Sequence, residues 1–256
     1  MATNTKMDRY MKILLAPSET KTSGGLDKFD FSTLLFSELS EIRENIVQKY
    51  SQLIQNSDRQ ALSKLFGLKK DSDIERYRHK IVDQATTKAI LRYTGVAFDN
   101  LDYSTLSKDA QKYIDQNLII FSNLFGVLRA SDLIPDYRLQ QGKQIDDIKP
   151  DLYYKPHLQQ LLDKYLQNED ILDIRAGYYD RYYKPSLPYT TLKFLKNGKV
   201  VSHWAKAYRG MVLREIALNN IKNIDQFVAM AIKGLQIEEI QTKRNKTEII
   251  YSIIDY

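Results

Sequence analysis

The sequence predicts an α+β fold, a single compact domain in which helices pack around a mixed β-sheet. Three observations point there. Apolar residues recur at helical spacing in some stretches and in strand-like runs in others, without regular βαβ alternation. No repeat, low-complexity tract or Gly/Pro-rich linker divides the chain. At 256 residues, 43% hydrophobic and 27% charged, with 10 Gly and 6 Pro, the composition is that of an ordered globular protein with one sizeable core. Residues 11–256 are assigned to that domain. Met1 to Tyr10 read as a polar leader without the apolar stretch of a secretory signal, and Met11 is a candidate start.

The elements follow in order. Lys12 to Ala16, closed by Pro17, reads as a buried strand. From Ser32 to Ile54, Leu35, Leu39, Ile42, Ile46, Tyr50 and Leu53 step by three and four, predicting an amphipathic helix. Ser57 to Phe66 forms a second helix that Gly67 stops. Lys69 to Lys80 has no period and reads as a loop or an exposed helix. Ser107 caps a helix that leads into an apolar strand, Leu118 to Phe121. A helix over His157 to Leu166 precedes a strand at Ile171 to Ile174. Asn197-Gly198 predicts a hairpin between Leu192 to Lys196 and Lys199 to Trp204. Ala205 to Asn219 and Asp225 to Ile232 read as helices. Leu235 to Thr242 and Glu248 to Ile254 read as a closing antiparallel pair.

What is missing excludes several functions. There is no Cys, so disulfides, thiolate metal sites and thiol redox chemistry are ruled out, and a reducing cytoplasm fits. Apolar runs fall far short of the roughly 20 residues that span a bilayer. The histidines His79, His157 and His203 are scattered, while Asp146-Asp147 and Glu238-Glu239 read as solvated neighbours. No metal and no cofactor are assigned.

The net charge of +6 is unevenly spread. Between Leu172 and Arg214 nine basic residues face two acids, a local +7 that leaves the rest of the chain at −1. The stretch also holds six of the 18 Tyr and the one Trp, Trp204. Basic side chains neutralise phosphates and aromatic faces stack on bases, so a nucleic-acid surface and a solvated basic face both fit.

Three constellations could carry chemistry. Pro17-Ser18-Glu19-Thr20-Lys21, ahead of Gly24-Gly25, sets a hydroxyl, a carboxylate and an ammonium at a strand end. Phe125 to Arg129 with Asp132 and Pro135 to Arg138 offers a Gly hairpin with Arg129 and Arg138, suited to a DNA phosphate or to internal Arg–Asp pairs. Ser202-His203-Trp204-Ala205-Lys206 with Arg209 and Arg214 places Lys206 and Arg209 on one helix face, an anion site, with His203 as acid, base or structural residue.

Together with Tyr93 to Phe98 and Asp173 to Tyr178, these blocks resemble the YaaA family of bacterial peroxide-stress proteins, from Lys12 through at least Arg214. The stretch beyond Gly234 departs from the family pattern. The resemblance implies a compact mixed fold of its own type in the cytoplasm. It further implies help in surviving peroxide by limiting unincorporated iron, and DNA binding through a positively charged cleft with a helix-hairpin-helix-like element. Carried onto this chain, its site residues are Ser18, Glu19, Lys21, Arg129, Arg138, Arg175, His203, Lys206 and Arg209.

The leading expectation is binding of double-stranded or structured DNA, largely without sequence preference, by Lys21, Arg129, Arg138, Arg175, Lys206, Arg209 and Arg214. The rival is an enzyme acting on a nucleotide or nucleobase, with Ser18, Glu19, His203 or Lys206 as acid, base or nucleophile beside the same anion site. A scaffold that offers exposed Tyr to a protein partner is the third reading. No membrane partner is expected.

Overall fold

Ile13 and Leu14 are fully buried, and so are all five residues of Leu118–Ser122. A strand with no water-facing side belongs in the middle of a parallel sheet covered on both faces. The computed structural model describes residues 11–254, except the side chains of Ser202 and His203. The leader read at 1–10 lies outside them.

Along the chain, β1 (Met11–Leu15) precedes α1 (Ser40–Asn56), α2 (Arg59–Phe66) and α3 (Asp71–Glu75). Then come β2 (Thr86–Lys88), α4 (Ala89–Arg92), α5 (Val96–Leu101) and α6 (Lys108–Asn117). β3 (Leu118–Ser122), β4 (Gly126–Arg129) and β5 (Leu133–Pro135) lead to α7 (Pro150–Leu166) and β6 (Asp170–Asp173). β7 (Tyr189–Lys196), β8 (Lys199–Val200), α8 (Ser202–Leu218) and α9 (Ile224–Ala229) are followed by the hairpin of β9 (Leu235–Lys243) and β10 (Lys246–Ile253).

Among the described residues the main sheet has the order β4-β3-β1-β6-β7-β10-β9, with β8 paired to β7, and β2 and β5 form a separate two-stranded sheet. The five strands β3, β1, β6, β7 and β10 are mutually parallel, flanked by antiparallel β4 and β9. The mixed sheet and the single α+β domain match the sequence expectation. The parallel centre does not follow from it, because six helices and β2 intervene between β1 and β3 and mask the alternation. Leu14 sits at the switch point, opposite Ile119 on one side and Asp173 on the other. The chain leaves β1 for β3 on its left and returns to β6 on its right. Open sheets bind ligands in the crevice beyond such a point.

Most helix boundaries follow local chemistry. Asp58 and Ser107 accept hydrogen bonds from the N–H groups of Ala61 and Ala110, and Gly67 ends α2 in the left-handed region at φ 66. Several boundaries differ from the sequence reading. α1 starts at Ser40 and not at Ser32, after two short turns at Phe31–Thr33 and Ser37–Leu39, and α9 ends at Ala229 and not at Ile232. α7 starts at Pro150 and runs through Pro156, since Asp151, Tyr154, Leu158 and Leu162 bury one continuous face that outweighs the lost hydrogen bond. The strand expected over Lys199 to Trp204 pairs only at its start. After the Val201 N–H reaches the Phe194 carbonyl, the chain turns into α8.

Candidate functional site

The loop after β1 is a compact shelf. Ser18 Oγ lies 3.1 Å from Thr20 Oγ1 and accepts from the Thr20 N–H at 3.3 Å. Thr20 Oγ1 donates in turn to the Thr94 carbonyl. Lys21 passes beneath, its Nζ donating to the Ser18 and Glu19 carbonyls at 3.1 and 3.3 Å and standing 4.0 Å from the Tyr137 ring centroid. Burial lowers its ammonium to about 7, against the opposing pull of the Asp136 carboxylate. Lys21 therefore supports the shelf from below.

Glu19 is held from two sides. Its Oε2 accepts from Arg138 Nη2 at 3.1 Å and its Oε1 from the Gln141 N–H at 3.2 Å. Arg138 is itself anchored, Nε donating to the Phe66 carbonyl at 2.9 Å. Gly95, at φ 105, passes so near that a Cβ there would meet Ser18 Oγ at 3.0 Å.

The opposite wall comes from α8. At Gly210 the helix crosses α5 so closely that a Cβ would stand 2.1 Å from the Ala97 carbonyl oxygen. This crossing sets Lys206 and Arg209 beside the shelf. Neither forms a hydrogen bond or ion pair among the described residues, and Arg209 Nε is buried without an acceptor. Burial lowers the Arg209 guanidinium, with Asp173 opposing.

Shelf and helix flank an open cleft of about 380 Å³ at the carboxyl ends of β1, β3 and β6. Ser18, Glu19, Arg138, Gln141, Lys206 and Arg209 give it polar walls, while Phe98, Ile174, Ala176 and Tyr179 give it apolar ones. Asn123 also lines it, but its amide is engaged, donating to the Leu139 carbonyl and accepting from the Tyr179 hydroxyl. A wider depression of about 650 Å³ lies at the amino end of β1, where Lys12 Nζ already bonds Asn117 Oδ1 and the Gln116 carbonyl.

Five of the residues singled out in the sequence thus meet: Ser18, Glu19, Arg138, Lys206 and Arg209. Three others are spent elsewhere. Arg129 pairs with Asp132 at 2.8 Å and reaches the Thr33 carbonyl. Arg175 is buried, forked onto both Asp173 oxygens at 2.8 and 2.6 Å and 4.2 Å from the Phe121 ring centroid. Arg214 donates to the Leu101 and Asp102 carbonyls and ties down the end of α5. His203 falls in the first turn of α8, and its side chain lies outside the described residues.

The tyrosine-rich segment is also different from a stacking surface. Tyr179, Tyr182 and Tyr183 are core residues whose hydroxyls burial pushes up, while Trp204 is 53% exposed. Sequence reasoning missed Asn123 and Gln141. The first had a signal, a polar residue directly after an apolar strand. The second acts through its main-chain N–H, which any residue carries.

The described side chains can recognise an anion and a hydrogen-bond donor together. Lysine and arginine suit an anion, and Glu19 accepts hydrogen bonds from a donor. Ser18 Oγ contacts only Thr20 among the described residues, so no base is paired with it there. Among the described residues no three His, Asp or Glu are grouped to hold a metal ion.

A family profile described as peroxide stress protein YaaA matches residues 11–241. An uncharacterized protein of Campylobacter jejuni is 42% identical over 246 residues, covering 96% of this chain and 100% of that one. A UPF0246 protein of Corynebacterium glutamicum is 32% identical over 249 residues, 90% of this chain and 95% of its own. Another from Fusobacterium nucleatum is 25% identical over 242 residues, 90% and 94% of the two chains. The profile reaches past Gly234, where the motif resemblance stops, into β9.

Proposed function

The chain belongs to the YaaA family of peroxide stress proteins, and from that premise we propose that it binds DNA through the basic end of its sheet. One observation carries this reading. β7 runs parallel to β6, so the β7–β8 hairpin with Lys196 and Lys199, and the start of α8 with exposed Trp204, stand at the same carboxyl end as Lys206 and Arg209. Of the charge excess of the sequence, Lys206 and Arg209 line the cavity and Lys196 and Lys199 share its end of the sheet, while Arg175, Arg181 and Arg214 are engaged by Asp173, Asp151 and main-chain carbonyls. Phosphate contacts of this kind fix position and carry no sequence information, so binding is largely indifferent to sequence.

In this role the protein acts in the cytoplasm, and its cover limits the damage that unincorporated iron and peroxide do to DNA. The chain has no cysteine, so protection does not run through thiol oxidation. Among the described residues no helix is long and apolar enough to cross a membrane.

Fluorescence anisotropy of a labelled duplex across a salt series tests the proposal. Log K is expected to fall linearly with log salt, and Lys206→Ala and Arg209→Ala each to reduce the slope by about one unit per lost phosphate contact. Absence of binding at low salt overturns it.

A further inference from the structure

We propose that the cavity beyond β1, β3 and β6 is a binding site for one nucleoside monophosphate, its phosphate on Lys206 and Arg209 and the N–H edge of its base on Glu19. The inference goes beyond DNA binding, since a groove that tracks a backbone needs only cations, whereas this cleft adds a carboxylate and apolar walls.

Place and size come first. The cleft lies at the switch point of the sheet, and its volume of about 380 Å³ falls within the range of roughly 300–1,000 Å³ that holds small ligands. Charge is the second observation. Lys206 and Arg209 are three residues apart on one helix face, with no acceptor among the described residues, and Arg209 Nε is buried without one. Asp173 is near enough to favour the charged form of Arg209, but its hydrogen bonds go to Arg175 and it forms none with Lys206 or Arg209. An unmade hydrogen bond at a buried guanidinium nitrogen is costly, and the half-buried Arg209 guanidinium and the exposed Lys206 ammonium leave donors for phosphate oxygens.

Glu19 sets the other requirement. Arg138 and the Gln141 N–H occupy two of its acceptor positions, and the remaining ones can only receive hydrogen bonds. A ligand that is anionic throughout would be repelled there, whereas the edge of a nucleobase supplies donors in the plane of the carboxylate. Phe98, Ile174, Ala176 and Tyr179 line the same cleft, apolar walls suited to a flat ring. A sugar phosphate offers hydroxyl donors to Glu19 but leaves those walls without a partner.

The same chemistry has two sources, a free nucleotide or a nucleotide displaced from DNA. Calorimetric titration of the full chain with AMP, GMP, CMP and UMP tests the site, with the corresponding nucleosides and ribose 5-phosphate in parallel. At least one monophosphate is expected to bind one to one, about tenfold or more tighter than its nucleoside. Arg209→Ala is expected to weaken it about tenfold, with Arg209→Lys recovering part of the loss and melting curves checking that both variants fold. Glu19→Gln is expected to change which base is preferred.

The proposal is overturned if no monophosphate saturates the protein below about 1 mM. It is also overturned if ribose 5-phosphate binds as tightly as the best nucleotide, or if Arg209→Ala folds and binds unchanged. Competition then assigns the source, given that a paired duplex shares Lys206 and Arg209 with the nucleotide. Markedly stronger displacement by a duplex with one unpaired nucleotide than by a fully paired one identifies DNA, and equal displacement by the two, or by neither, identifies the free nucleotide. Failure of a paired duplex to bind at low salt overturns the DNA reading alone and leaves this site standing.

Discussion

The Lys21 amine couples folding to pH. Its folded value of about 7 lies below the roughly 10.4 of a lysine in water, so unfolding takes up a proton between those values. Stability therefore rises as pH increases from about 7 toward about 10. Above that, the buried hydroxyls of Tyr50, Tyr154 and Tyr183, which burial raises, reverse the trend because the unfolded chain ionises first. Melting temperature is expected to climb between about pH 6.5 and about 9, and Lys21→Met to flatten that climb; an equal slope in the variant would sink the assignment. Residue types alone hide such roles. Lys21, Arg175 and Arg214 counted toward a basic surface in the sequence, yet each is turned inward, onto carbonyls or a neighbouring carboxylate. Arg43, fully buried on α1 with the carbonyls of Leu35, Phe36, Phe125 and Val127, is another inward cation that gave no signal. Spacing reports which residues share an element, whereas the direction of a guanidinium depends on partners up to 119 residues away.

At the scale of elements, the crossing of α5 and α8 positions the cationic wall. Gly210→Ala would force the Ala97 carbonyl away, because backbone cannot yield as a flexible side chain does. Urea denaturation is expected to show a loss of about 1–3 kcal/mol, accompanied by weaker binding to DNA as Lys206 and Arg209 shift. A variant with unchanged stability and binding would mean that the contact does not set the wall. The elements most legible in the sequence were those with a sustained period or an explicit stop: β1, β3, α2 with its Gly67, α6 with its Ser107, and the β9–β10 hairpin. α7 was cut short because Pro156 reads as a boundary, and only the packing of Tyr154 and Leu158 restores the turn before it. β2 and β5 have three residues each, too few to display any period. Of the site, the Ser18 to Lys21 shelf and the Lys206–Arg209 pair were visible as motifs. Their meeting was not, since it depends on strand order.

For the whole molecule, the family profile stops at residue 241, inside β9, but the sheet does not. β10 lies beyond it and pairs with β7 from Lys246 to Ser252, burying Ile249 and Tyr251, with Tyr251 6.0 Å from the Phe194 ring. A chain ending at Gly234 is therefore expected to lose cooperative thermal unfolding, followed by circular dichroism, and a retained sharp transition would show β10 to be dispensable. The central place of β1 also has a consequence in time. Among the described residues it is the first strand made, yet its two neighbours are β3 and β6, the second of which is complete only at Asp173. At about 5–20 residues per second, a nascent chain carries β1 for roughly ten to thirty seconds before the ribosome supplies its last partner. During that interval the apolar Ile13 to Leu15 are open to wrong pairing, and no site exists until α8 has emerged. Synthesis rate and chaperone access, as much as sequence, then govern how much active protein a stressed cell obtains.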